Sequence, residues 1–269
     1  MNRLVLTSAV AANRGITAGS QEHKQQLEAW TRKVLAREPV VPDGFQFTWS
    51  RGASSITSSA LLLDAIMCNI QYAQQQLQRS QSMVGCQAYK MAIDAARTYS
   101  YVLSTLMPAW TFQPVECFSG LPDACHHDIY GHYCLSRAAA YSNVGKADLQ
   151  ASKKAQLVAS SNAAHLYMVA AQLIEGDSSS MINKAQACAA DVLCLWSETY
   201  LEQWHNDEDI SGAAKALACC QEAHTRYLAA GHPGCQERVE HAHNRNSVYW
   251  MNPELPDWNI MLRPRVTPL

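Results

Sequence analysis

An all-α fold is predicted, on three observations. Apolar residues recur every three to four positions over long segments, turn-forming clusters separate those segments, and strand-like sequence is confined to the two ends of the chain. The apolar stripes mix Ala, Ser, Cys and Gly with occasional Trp, Tyr and Leu. Small residues let helix axes approach closely, and sparse aromatics fill the gaps that remain. Such helices suit a solenoid-like stack of long antiparallel helices, with minor β-strands near the N- and C-termini. No repeat of fixed period is present, and the Trp-Leu-Gly-Tyr signature of true tetratricopeptide repeats is missing.

The first twenty residues are expected to be a loosely ordered tail, and 21–269 a single helical domain. Arg3, Arg14 and several Ser and Thr precede the first acid, Glu22, as in a transit peptide, and Leu4 to Ala12 is weakly signal-like. The apolar stretch is short, so an untargeted tail is the expectation. A polar helix follows from Gln21 to Arg37, with Leu27, Trp30, Val34 and Leu35 on one side, stopped by Pro39 and Pro42. Asp43-Gly44 turns into the aromatic strand Phe45 to Trp49. Ser58 or Ser59 can cap the next helix, whose positions Leu62, Ile66, Ile70, Ala73 and Leu77 keep helical spacing to about Gln78.

The longest clean stripe runs from Ala88 to Met107 and is expected to end at Pro108. A connector rich in Pro and aromatics spans 108–122. Further helices are expected over 123–142, 146–174, 181–205 and from 210 to about Ala229. Glu175 to Ser180 and the acidic Asn206 to Asp209 separate them. Gly231-His232-Pro233-Gly234 breaks the chain before a last short helix near Asn246, and an extended tail closes it.

Composition narrows the function. At 48% hydrophobic and 16% charged residues, the chain has material for a continuous core. A formal net charge of -2 removes the basic footprint of a nucleic-acid binder. No apolar run reaches the ~20 residues that span a bilayer. The 10 cysteines lie scattered in helical sequence, as at Cys188, Cys194, Cys219 and Cys220, which suits buried small residues in a reducing cytosol better than a disulfide framework.

Two catalytic or metal readings compete with a binding role. His126-His127, His132 and Cys134 cluster, Cys219-Cys220 stands one turn from His224, and His232, Cys235, His241 and His243 follow. Zinc requires three or four ligands converging tetrahedrally, yet neither paired C-x-x-C nor H-E-x-x-H occurs. A thiol nucleophile requires an activating base nearby in space, and no G-x-S-x-G or Gly-rich phosphate loop is present. No metal, no cofactor and no catalytic residue are therefore assigned.

Several short segments occur in a telling order: Phe47-Thr48-Trp49, Ile66-Met67-Cys68-Asn69, Ala88-Tyr89-Lys90, Ala163-Ala164 before Tyr167, Ala189-Ala190 before Tyr200, Gly212 before Ala216-Leu217, then Val248-Tyr249 and Leu255-Pro256. From about Gln21 onward this ordered set resembles the Bro-one domain, the ESCRT-III-docking module of ALIX-like proteins. The region before these motifs is shorter here than in that family, and an insertion falls around 142–150. The resemblance implies a curved (boomerang) helical stack with tetratricopeptide-like packing, acting as a cytoplasmic, non-catalytic, monomeric adaptor for endosomal sorting or membrane remodelling and recruited to membranes through partners. Its hydrophobic groove would take the amphipathic C-terminal helix of an ESCRT-III subunit. Carried over, the groove falls on Cys134, Leu135 and Arg137, then Ala155, Leu157, Val158 and Ala159. Cys134 stands where the family has an aromatic, and uncharged Ser82 and Cys86 where it has an acid and a base. A shallower groove follows, and a generic helical adaptor with another partner stays open as the alternative.

Overall fold

The computed structural model describes residues 20–36, 47–51, 54–58, 60–109, 126–145, 151–176, 178–207, 210–247, 252, 254–257 and 261. The fold is all-α in class: long helices carry the core, with one small hairpin beside them. The chain forms two compact units, one ending at Ser136 and taking in Leu173–Glu175, the other made of Arg137–Gln172 and the chain from Gly176 onward.

The N-terminal unit begins with α1 (Gln21–Leu35). Ser20 caps it: its hydroxyl accepts the His23 N–H at 3.1 Å, satisfying one of the amides a helix start leaves open. Strands β1 (Phe47–Arg51) and β2 (Ser54–Ser58) pair antiparallel, with Trp49 opposite Ile56. Helix α2 (Leu61–Ser82) follows, with Ala60 at the N-cap where a serine was expected; Ala60 supplies no side-chain bond.

Trp30 and Val34 of α1 pack on Ala65, and Leu27 packs on Cys68 and Tyr72. These contacts run in opposite order along the two helices, so α1 and α2 are antiparallel. Asn69 locks the register: its amide donates to Thr31 Oγ1 at 3.1 Å and to the Ala65 carbonyl at 2.8 Å, all within the core.

Helix α3 (Gly85–Tyr101) returns antiparallel to α2, burying Ala88, Ala92, Ala95, Ala96 and Tyr99. Their small Cβ groups bring the backbones close. The stripe does not end at Pro108. It passes through a π turn at Val102–Leu106, where the Met107 N–H bonds the Val102 carbonyl, and into Met107–Ala109. Proline has no N–H and its ring crowds the carbonyl four residues back, so the wider turn upstream accommodates it inside the helix. Helix α4 (His126–Gly145) starts in this unit and crosses into the second at Arg137.

The C-terminal unit contains α5 (Lys153–Leu173, to Gln172), α6 (Ser179–Asp207), α7 (Ile210–Ala229) and α8 (Gln236–Asn246). Ala190, Leu193 and Cys194 of α6 meet Cys219 and Ala223 of α7 in one cluster with Met261. Leu217 and Cys220 meet Ala242 of α8 in another. Gly231, at φ +73°, closes α7: its N–H bonds the Leu228 carbonyl at 3.0 Å and the His232 N–H bonds Tyr227 at 2.9 Å. That pair of bonds satisfies carbonyls the helix end would leave open, in a conformation glycine adopts without steric penalty.

The 108–122 connector beyond Ala109, residues 146–150 and Val248-Tyr249 lie outside the described residues. Glu254–Asp257, where the second half of a closing strand was expected, form no regular element. Pro256 cannot donate a ladder bond there. No described helix is long and apolar enough to cross a membrane.

Candidate functional site

The seven carried-over groove residues fall on α4 and the start of α5, and burial divides them. Cys134 is 1% exposed and Ala159 3%, so both are core positions. Leu135, Arg137, Leu157 and Val158 are half-buried, and Ala155 is exposed. Cys134 and Leu135 belong to the N-terminal unit, Arg137 and the α5 residues to the C-terminal one. Arg137 lies along its own helix, Nη2 donating to the Tyr141 hydroxyl at 3.1 Å with the guanidinium 5.6 Å from that ring's centre. Leu157 and Val158 follow Lys153 by one turn, and Lys153 pairs with Glu202 at 2.6 Å and Glu198 at 3.6 Å. Arg238 joins the same Glu198 at 2.6 Å. An apolar step thus stands beside a part-exposed row of both charges. Ser82 and Cys86 are exposed around the turn from α2 to α3.

The Cys and His clusters find protein partners instead of converging as ligands. His132 Nε2 sits 3.5 Å from Asp128 Oδ2 and its ring stacks on Tyr99. Cys220 shares a hydrogen bond with Ser197 at 2.9 Å, and Cys235 donates to the Cys220 carbonyl at 3.6 Å. His232, His241 and His243 are exposed. Among the described residues no three His, Cys, Asp or Glu side chains are grouped to hold a metal ion.

Burial pushes the Cys194 and Cys219 thiols up to about 12, with neighbouring thiols adding to the effect. A protonated, enclosed thiol is a poor nucleophile. Brief treatment of the native protein with iodoacetamide should therefore modify exposed Cys86 well before Cys68, Cys134, Cys188, Cys194, Cys219 or Cys220. Peptide mass mapping reads this directly, and early labelling at Cys194 or Cys219 would contradict the enclosed core.

A second feature has no counterpart in the sequence motifs. In the N-terminal unit a cleft of about 450 Å³ is lined by Lys24, Leu27, Glu28 and Arg32 of α1, Asn69 and Tyr72 of α2, and Arg97, Thr98 and Tyr101 of α3. Both α1 and α3 run antiparallel to α2, hence parallel to each other, and they form the walls over an α2 floor. One end is closed by Asp94, which pairs with Lys24 and accepts the Tyr72 hydroxyl at 2.6 Å. Burial, then the Asp94 bond and charge, holds the Tyr72 hydroxyl protonated far above its usual range. The Tyr101 hydroxyl is also raised, by burial first and Glu28 second, against the opposing pull of Arg32. Burial and Arg79 together lower His23, whose ring meets Tyr72 edge-on.

The sequence signal for this cleft was local and incomplete. Lys24, Leu27, Glu28 and Arg32 recur at helical spacing, and so do Asp94, Arg97, Thr98 and Tyr101, but each set reads as an ordinary polar helix face.

Fold and sites together define a class: an all-α protein with an open, partly cationic cleft in one unit and a charged-and-apolar helix start in the other. No protein-family model matches the sequence, and a search of curated proteins finds no significant similarity.

Proposed function

We propose that the chain is a non-catalytic helical adaptor that receives an amphipathic helix from a protein partner, the C-terminal helix of an ESCRT-III subunit being the specific candidate. The observation that carries this is the opening of α5, where Leu157 and Val158 stay half-exposed beside Lys153, Glu198 and Glu202 before the helix sinks into the core at Ala159. Helix-in-groove recognition requires this combination: apolar anchors at helical spacing for affinity, and rim charges for orientation. In this reading the helices stack as a solenoid-like Bro-one-type domain, the protein is cytoplasmic and monomeric, and it reaches endosomal or other membranes only through its partner.

A second reading keeps the fold and changes the partner. Cys134 is enclosed where the family presents an aromatic, and Ser82 and Cys86 leave the nearby turn uncharged, so a different helix would be preferred. Fluorescence anisotropy against labelled C-terminal helices of the ESCRT-III subunits separates the two. Saturable binding near 1 μM, about -8 kcal/mol, supports the first. Leu157→Asp and Val158→Asp are each expected to weaken binding at least about a hundredfold, with Tm nearly unchanged because both positions are half-exposed. If both variants melt, the two residues are core and the groove lies elsewhere. If no ESCRT-III helix binds, the generic adaptor takes precedence.

A further inference from the structure

We propose that the cleft between α1 and α3 binds a small organic oxyanion, a carboxylate or phosphate group carried on a compact apolar body. This site is separate from the partner-helix site and stands or falls independently of it. Among the described residues, Lys24, Arg32 and Arg97 line the cleft with Glu28, and Asp94 closes one end, so three cations face two carboxylates. Asp94 does not neutralise the arginines: Lys24 occupies its Oδ1 and the Tyr72 hydroxyl its Oδ2.

Arg32 directs Nε to the backbone carbonyl of Glu28 at 3.3 Å, and among the described residues neither Arg32 nor Arg97 pairs with a carboxylate. Two guanidinium groups in want of an acid therefore face one cavity. Planar guanidinium forks match carboxylate and phosphate geometry through paired N–H donors, and a lysine cannot reproduce that fit.

The position of the charges orients the ligand. Lys24 to Arg32 spans about 12 Å of α1, with Glu28 midway. Glu28 would repel an anion at the centre of that wall, so the anionic head belongs toward Arg97 and the open end, where Arg32 and Tyr101 stand together electrostatically. The closed end offers Leu27 and the Tyr72 ring to an apolar body. Asn69 adds a single acceptor, because both amide hydrogens are already donated to Thr31 and Ala65. A volume of about 450 Å³ falls in the range of small-molecule sites.

Isothermal titration calorimetry of the full chain at low salt, with phenyl phosphate in one arm and benzoate in the other, tests the assignment. Saturable binding of at least one probe with Kd at or below about 1 mM is expected, weakening as salt screens the arginines. Tighter binding of phenyl phosphate identifies a phosphate head, and tighter binding of benzoate a carboxylate head. Arg97→Gln and Arg32→Gln should each weaken binding about tenfold or more without lowering Tm, since both side chains are exposed. Lys33→Gln, on α1 but outside the cleft, should change nothing. Absence of saturable binding for both probes, binding indifferent to Arg97 and Arg32, or an equal loss in Lys33→Gln would each overturn the proposal.

Discussion

Gly212→Val is expected to destabilise the protein by about 3 kcal/mol or more, and even Gly212→Ala by about 1 to 2 kcal/mol. An alanine in a helix interior ordinarily gains about 1 kcal/mol over glycine, so the sign of the Ala variant is itself informative. A Cβ at 212 would stand 2.8 Å from the Tyr200 carbonyl oxygen and 2.9 Å from Trp204 Cβ. Neither is the free end of a flexible side chain. One is backbone of α6 and the other is fixed to it, so relief requires the α6–α7 pair to part. That pair carries the Ala190, Leu193, Cys194, Cys219 and Ala223 cluster, and separation would open voids along it. Urea denaturation followed by circular dichroism measures the loss, with Gln221→Ala on the exposed face of α7 as control. A Gly212→Ala protein as stable as the parent would mean that the two helices do not approach this closely.

The same glycine shows what the sequence could and could not convey. Its spacing before Ala216-Leu217 was legible as a motif, but only the paired helix supplies the reason for it. Helix interiors were read well where one face is apolar throughout. Leu27, Trp30 and Val34, the alanines from Ala88 to Ala96, and Ala185, Cys188, Ala189 and Val192 are buried as their periodicity requires, while Leu35, at the end of its stripe, is half-buried. Ends were read less well. A capping serine was expected before α2, and Ala60 occupies the position; a stop was expected at Pro108, and a π turn carries the helix past it. Both outcomes depend on local hydrogen-bond competition that a stripe of apolar residues does not encode. Among the carried-over groove residues, Cys134 and Leu157 look alike as apolar helical positions, yet one is enclosed and the other half-exposed. The cleft was illegible for a different reason: Lys24, Asn69 and Arg97 meet only through the packing of three helices, and a basic residue on a polar face has no distinguishing mark.

Alkaline pH should destabilise the protein steeply, with the Cys194–Cys219 core as a main cause. Both thiols are pushed by burial from an ordinary value of 9.0 up to about 12. Each is an acid whose folded value lies above its unfolded one. Below pH 9 both states hold the proton and the contribution is complete. As pH rises from 9 toward 12, the unfolded chain releases a proton that the folded core retains, and stability falls. Between pH 9, where half of the unfolded thiols are already ionised, and pH 10.5, each thiol gives up roughly 1 to 2 kcal/mol, so the two together remove about 3 kcal/mol.

Tyr227 acts in the same direction, raised by burial and by Asp191, to which its hydroxyl donates at 2.5 Å. Denaturation midpoints measured at pH 8, 9 and 10.5 in the presence of a phosphine reductant follow the loss without interference from oxidation. A Cys194→Ala/Cys219→Ala double variant starts lower, because it leaves small voids, but its decline with pH should be shallower by about that same 3 kcal/mol. Parallel curves for parent and variant would show that these thiols ionise as readily folded as unfolded. In that case water reaches them, and the cluster they share with Ala190, Leu193 and Ala223 cannot be the dry seam that holds α6 to α7.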